Sequence, residues 1–509
     1  MSATGVGGVG LDAPERVAAW RAEGARYPER APFHPGQAYP EYTLGEVGSE
    51  PNDVYEAVRQ CFRQAGLDAE RFGTPEWNPL GGLVRPGETV LLKPNLVYQS
   101  HPRDPQGWRY TITHGSVVRA VSDYVYRALE GHGRIIIADA PITEASFTAI
   151  ATQLGFYQIR DFYQARGVPV ELVDLRLEEW DARDGVVVAR RPLPGDPRGT
   201  VPFDLADGSE LAEHRGGGRY YGADYKAAEV NYHHTGGRHE YLIAGSAIQA
   251  DVVFSLPKLK THKKAGVTAT LKNLVGVNGN KNWLPHHTEG DPRRGGDEHP
   301  DPGILHRLER RAVAVARRVS LALPVLGPWL HRKARAAGSR VFGDSEEVIR
   351  SGNWSGNDTV WRMCLDLNKL IFYGNPDGTL RAPFAGNRKR HFSLVDGIVA
   401  GEGRGPMNPD PVEAGVVIFG VHPASVDAAC AWLMGFDPDA IPIVRQAFHT
   451  RKYPLAEWGW RDVVLVSNVP EWNARLPEIP DHSTFHFRPH FGWLGRVERA
   501  PRASDAAAD

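Results

Sequence analysis

Three short segments constrain this chain most: TVLLKPNLV at 89–97, RIIIADAP at 134–141 and ADVVFSLPKLK at 250–260. Each is a short, nearly unbroken aliphatic run, the pattern of a strand covered on both faces. Between the first two lies GSVVRAVSDYVYRALEG, where Val117, Val118, Val121, Val125 and Leu129 share one helical face. Helical pattern continues to Gly167, and PVELVDL follows as another strand. This alternation predicts an α/β fold with a mostly parallel, doubly wound sheet.

The rest of the chain divides around that pattern. Residues 1–50, rich in Gly and Pro, read as a loose N-terminal arm, and 51–175 as the first α/β part. Residues 176–249 read as an inserted irregular β region, and 250–302 as an α/β part with a Lys/His loop. A basic helical hairpin is expected within 303–345, because 303–340 carries nine Arg or Lys against one Glu and is broken at Pro324 and Pro328. Such a hairpin suits a lid, a partner surface or a transient membrane contact. Residues 346–470 complete the α/β part, and 471–509 read as a tail.

Composition narrows the functions. The net charge is −2, so no general basicity points to nucleic acid. Cys61, Cys364 and Cys430 stand far apart, which excludes a four-cysteine zinc or iron–sulfur site within this chain and argues against a disulfide framework. With no signal-peptide pattern and no long apolar run, the expected location is cytoplasmic. No GxSxG elbow or Walker loop appears. The sequence leaves the oligomeric state open.

Chemistry collects at the carboxyl ends of the expected strands, where open α/β sheets bind ligands. One strand ends in Lys93-Pro94-Asn95, and the helix after it starts behind Thr113-His114. Another strand ends in Asp139, and a later one holds Asp396-Gly397. The segment 257–287 contains six lysines and three histidines. Clustered cations suit an anion such as phosphate, a carboxylate or an enediolate, and a desolvated lysine among like charges can serve as a base. Lys258, Lys260, His262 and Lys272 are the catalytic candidates. Lys93, Asn95, Thr113, His114, Lys263 and Asn273 are candidates for holding substrate. Gly403 and Gly405, in GEGRGP, would turn amides toward an anion. The metal candidates are His286, His287, Asp297, Glu298, Asp139 and Asp396, types that suit a divalent ion, although their spacing matches no standard motif. Each of these residues also fits a structural role: an exposed lysine, a helix cap, a turn, or a loop of mixed charge.

LLKPNLV, the Thr-His pair before VVRAVSDYV, IIIAD, ADVVFSLPKLKTHKKAGVTATLKNLVG, LVDGIVAGEGRGP and GVHPASVDAACAWLMGFDP together resemble the domain of unknown function 362 family over roughly 85–450. NWLPHHTEGDPRRGGDEHP and SGNWSGNDTVWRMCLDLNKLIFYG resemble a longer subgroup found near bacterial polysaccharide and natural-product genes. Many relatives carry a ferredoxin-like cluster module, and this chain departs from them in lacking its cysteines. The strand-tip layout is also loosely similar to the N-terminal domain of lactate racemase-type proteins, a likeness of fold alone. The leading expectation is an enzyme of a bacterial biosynthetic pathway. It would act on an anionic or carbonyl-bearing small molecule by isomerase, lyase or metal-assisted chemistry. The alternatives are a non-catalytic anion- or cofactor-binding accessory protein, or a peripheral membrane protein acting on lipid-linked sugars.

Overall fold

The computed structural model describes residues 8–183, 186–222, 227–300 and 348–499. The hairpin expected within 303–345 lies outside the described residues. An eleven-stranded sheet organises the rest. In chain order its strands are β1 (Arg16–Arg21), β2 (Thr89–Pro94), β3 (Arg134–Asp139), β4 (Val170–Asp174), β5 (Val252–Leu256), β6 (Lys258–His262), β7 (Gly266–Thr268), β8 (Arg390–Glu402), β9 (Asp410–Val412), β10 (Val416–Gly420) and β11 (Val464–Ser467). Across the sheet the order is β11-β1-β10-β8-β5-β2-β3-β4. From β8 to β4 every pairing is parallel, while β10 is antiparallel to both β8 and β1.

The two-residue period of each strand separates two cores. Val90, Leu92, Ile135, Ile137, Val252 and Phe254 face the core that contains the helices Asp53–Gln64 and Gly115–Leu129. Leu91, Ile136 and Val253 face the other, against the helices Val360–Tyr373 and Pro423–Leu433. Burying each such aliphatic side chain contributes about 1.5–3 kcal/mol. The chain is therefore the expected α/β protein with helices on both faces of a mostly parallel sheet. Residues 176–249 supply short antiparallel strands, Glu178–Arg183 with Val186–Pro192 and Thr200–Asp204 with Glu240–Ala244.

Two boundary readings are corrected. The supposed loose arm supplies β1, which lies between β10 and β11 inside the sheet. Val17, Ala18 and Ala19 are fully buried, although the loop-forming residues around them hide so short a strand. The supposed tail is packed as far as it is described: Trp472 and Trp493 are buried, and Trp493 Nε1 donates to the Lys263 carbonyl at 2.9 Å.

His391, on β8, is buried and neither ring nitrogen has a hydrogen-bond partner among the described residues. Burial pushes its imidazole down to about 3. A depressed folded value means stability that is full above the unfolded value and is lost as pH falls. Between about pH 6.5 and 3 the unfolded chain gains a proton that the folded one refuses, at about 1.4 kcal/mol per pH unit. His391→Leu is therefore expected to resist acid better than wild type, the gap in chemical-denaturation stability widening from pH 6.5 to 4. A constant gap would show that His391 does not govern this window.

Candidate functional site

The site forms where β5 runs on past Pro257 into β6. Both strands lie parallel to the long β8, with Ser255 opposite Ser393 and Lys258 opposite Asp396. Lysines at alternate positions of β6 are thereby carried beyond the ends of β2 and β3.

Two lysines at this edge, one on β2 and one on β6, are held by carboxylates. Lys93 Nζ lies 2.6 Å from Asp139, and both are buried. Asp139 also accepts from the amides of Leu96 and Ala140. Lys258 Nζ lies 2.9 Å from Asp396, with both side chains completely enclosed. Tyr27, from the supposed arm, closes this pair: its hydroxyl donates to Asp396 at 2.6 Å and accepts from Lys258 Nζ at 2.6 Å. The His114 amide donates to Asp396 at 2.9 Å. Lys258 is thus corrected from a catalytic candidate to an internal ion-pair partner.

Several other candidates serve the frame. Thr113 Oγ1 donates to the Leu256 carbonyl at 2.6 Å and accepts from the Asn95 amide at 3.0 Å. His114 caps the helix at 115–129 through the Ser116 amide and stacks on Tyr27 with ring centroids 4.1 Å apart. Asn273 is a four-way clamp, donating to the Lys93 carbonyl and Ser255 Oγ and accepting from Lys93 Nζ and Asn95 Nδ2. The GEGRGP amides do not face an anion, because Gly403 N donates to the Arg488 carbonyl and Gly405 N to the Gly403 carbonyl. The closeness of β6 sets this loop: a Cβ on Gly405 would lie 1.9 Å from the Thr261 carbonyl oxygen.

The six metal candidates are not brought into one ligand set. Lys93 and Lys258 engage Asp139 and Asp396. Asp297 accepts from the amides of Thr288, Asp358 and Thr359 and from Thr359 Oγ1, which makes it a cap for the 360–373 helix. Glu298 accepts from the Gly290 amide. His287 stacks on Tyr221 and lies 3.2 Å from Lys264 Nζ. Among the described residues no group of three His, Cys, Asp or Glu side chains is placed to hold an ion.

Four groups remain for chemistry. Lys260 is enclosed without a carboxylate, its Nζ donating to the carbonyls of Thr111 and Pro406 and to Asn95 Oδ1. Burial pushes its amine well below the usual lysine value, and Lys258 and Lys272 add to this. Lys272 is 9% exposed and has no hydrogen-bond or ion-pair partner among the described residues. Burial lowers its proton affinity also. Its charge is felt by Lys93, Lys260, His262, Lys264 and His286, each held to a lower proton affinity by it. Asp427, which burial raises to about 7, accepts from the amides of Thr270 and Leu271 and so anchors the short helix that carries Lys272.

The two imidazoles differ in what they can do. His262 Nδ1 accepts from the amides of Lys264 and Ala265, both at 3.0 Å. That assigns its proton to Nε2 and makes His262 a fixed donor. His286 Nδ1 faces the Leu284 carbonyl at 2.9 Å, so Nδ1 carries the proton and Nε2 keeps its lone pair. His286, a metal candidate from the sequence, therefore presents a bare ring nitrogen that can accept a proton. Burial holds both rings well below the usual imidazole value, with Lys272 next in effect. Lys263 is exposed, outside the enclosed cluster.

Sequence reasoning also missed Tyr27, Lys264 and Gly276. Lys264 was visible in the lysine run, and burial brings it down to about 7. Gly276 carried no signal: a Cβ there would fall 1.8 Å from Asp139 Oδ1 and 2.6 Å from Lys93 Nζ. Gly276→Ala is therefore expected to split the Lys93–Asp139 pair and lower stability by about 3 kcal/mol, as breaking a buried pair does. Denaturant unfolding checks this, and a loss under about 1 kcal/mol would mean that the pair simply shifts aside.

Among the described residues no helix is long and apolar enough to cross a membrane. The chain is 24% identical over 367 residues to a thylakoid-associated protein of Synechocystis sp., which covers 72% of this chain and 69% of that protein. The model of a domain of unknown function, number 362, matches residues 90–190 and 208–432, which takes in β2 to β8, the lysine segment and the helix anchored over Lys272. With more than half of its length and all the lysines and histidines of this site inside the match, the chain belongs to the domain of unknown function 362 family.

Proposed function

We propose that this protein is an enzyme that binds an anionic, carbonyl-bearing small molecule at Lys272 and transfers protons on it. The observation that carries this reading is Lys272 itself, buried and without a hydrogen-bond or ion-pair partner among the described residues, amid basic groups. Like charges brought together out of water repel strongly, and an anion among them removes that cost. Lys260 and Lys272 supply charge, His262 donates a fixed hydrogen bond from Nε2, and His286 accepts a proton. A donor and an acceptor around one substrate suit isomerase or lyase chemistry. The subgroup resemblance favours a biosynthetic intermediate as substrate, and three buried free cysteines fit a cytoplasmic setting.

Calorimetric titration with phosphate, citrate and short keto acids tests the reading. At least one is expected to bind, with an affinity that falls as potassium chloride is raised. No binding by any of them at low salt would overturn it. The name of the Synechocystis relative favours peripheral membrane association as a second reading. Sedimentation with anionic liposomes is its test, and a protein that stays in the supernatant excludes it.

A further inference from the structure

We infer that Lys272 is an imine-forming lysine that takes an anionic aldehyde or keto acid as a covalent partner. This rests on the reading of the site as an anion-binding one, and it names the substrate class. Three geometric facts carry it. First, Lys272 has no acceptor among the described residues, whereas the enclosed lysines at 93, 258 and 260 each have two or more. An amine without an acceptor and shut away from water gives up its proton more readily than a surface lysine, which frees its lone pair for attack on a carbonyl carbon. Second, His262 presents Nε2–H, a donor suited to a polarised carbonyl oxygen, and two backbone amides fix that tautomer. Third, the bare Nε2 of His286 is a base, fixed by the Leu284 carbonyl on the other nitrogen.

The step balances without an oxidant or metal. Lys272 Nζ adds to the carbonyl carbon, a C–N bond forms, and the C=O π pair moves to oxygen beside His262. Two protons pass from nitrogen to that oxygen by way of His286. The C–O bond then breaks and water leaves, so that amine and carbonyl become imine and water. The imine nitrogen then takes one proton from solvent, and the positive charge of the protonated imine stands where Lys272 stood, compensated by a substrate carboxylate or phosphate beside Lys260. Asn95, Lys264 and His286, all partly exposed, mark the way in.

Borohydride trapping tests the inference on the full chain. Wild type is incubated with glyoxylate or, as an uncharged control, acetaldehyde, in the presence of cyanoborohydride, and the adducts are located by peptide mass spectrometry. Glyoxylate is expected to label Lys272 faster than the exposed lysines 263 and 452, because burial lowers its proton affinity and leaves more of it as free amine. Acetaldehyde should show no such preference, and inorganic phosphate should slow the glyoxylate reaction. Lys272→Arg should lose that adduct with its melting temperature retained. Should that variant fold poorly, phosphate protection in wild type still decides the matter. If phosphate binds by calorimetry but Lys272 stays unlabelled, the imine inference is wrong and the anion site stands. If phosphate and the keto acids fail to bind and labelling is confined to surface lysines, both readings fall.

Discussion

Lys258→Met is expected to destabilise the protein by about 3–5 kcal/mol, the largest stability effect of any single change at the site. The reason is the carboxylate it abandons. Asp396 is fully enclosed, and Lys258 is its only cationic partner among the described residues. Tyr27 and the His114 amide would remain as neutral donors, which cannot cancel a full charge away from water. The double change Lys258→Met, Asp396→Asn should recover most of the loss, because the stranded charge goes with its partner. Urea unfolding of wild type, both singles and the double closes the cycle. A single-mutant loss under about 1 kcal/mol would show that Asp396 is neutral in the folded protein or reaches water.

Lys272→Met is expected to act the opposite way. It should weaken anion binding by roughly 10- to 150-fold, the worth of a charge-assisted contact of about 1.5–3 kcal/mol. The melting temperature should stay level or rise, since no described residue depends on Lys272 for a bond and a repulsion is relieved. The sign of its pH dependence follows from the lowered proton affinity. A lysine whose folded value is depressed contributes stability above its unfolded value and loses it as pH falls through the folded one. The advantage of Met should accordingly be larger at pH 7 than at pH 10. Calorimetry and thermal melting at both pH values measure this. Unchanged affinity would remove Lys272 from the site, and a large drop in melting temperature would give it a structural partner.

The contrast between two lysines in one segment is the main lesson of this structure. Both occupy the same lysine-rich run, and nothing local distinguishes them. Lys258 meets Asp396 and Tyr27, 138 and 231 residues away, and becomes internal framework. Lys272, on a short helix anchored by Asp427, meets no carboxylate among the described residues and becomes the candidate reactive group. The histidines separate in the same manner, His262 by two amides of its own turn and His286 by a carbonyl two residues back. Such local bonds are readable only once the backbone has turned.

What the sequence alone determined is the architecture and the address of the site. Unbroken aliphatic runs such as RIIIAD have to be covered on both faces, and amphipathic helices between them have to cross over, so a two-cored parallel sheet follows from hydrophobic burial and period alone. Polar tips on those strands then gather at one edge, because parallel strands share a polarity. Burial and partnership of each tip were decided only by the tertiary structure. Charge pairing acts over a few ångströms and is blind to sequence separation, so the strand hidden at Arg16–Arg21, the tyrosine behind it, and the space kept by Gly276 against Asp139 had no local signature. The same short range assigned Asp139, Asp396 and Asp297 to lysines and amides and left Lys272, on its short helix, without a mate among the described residues.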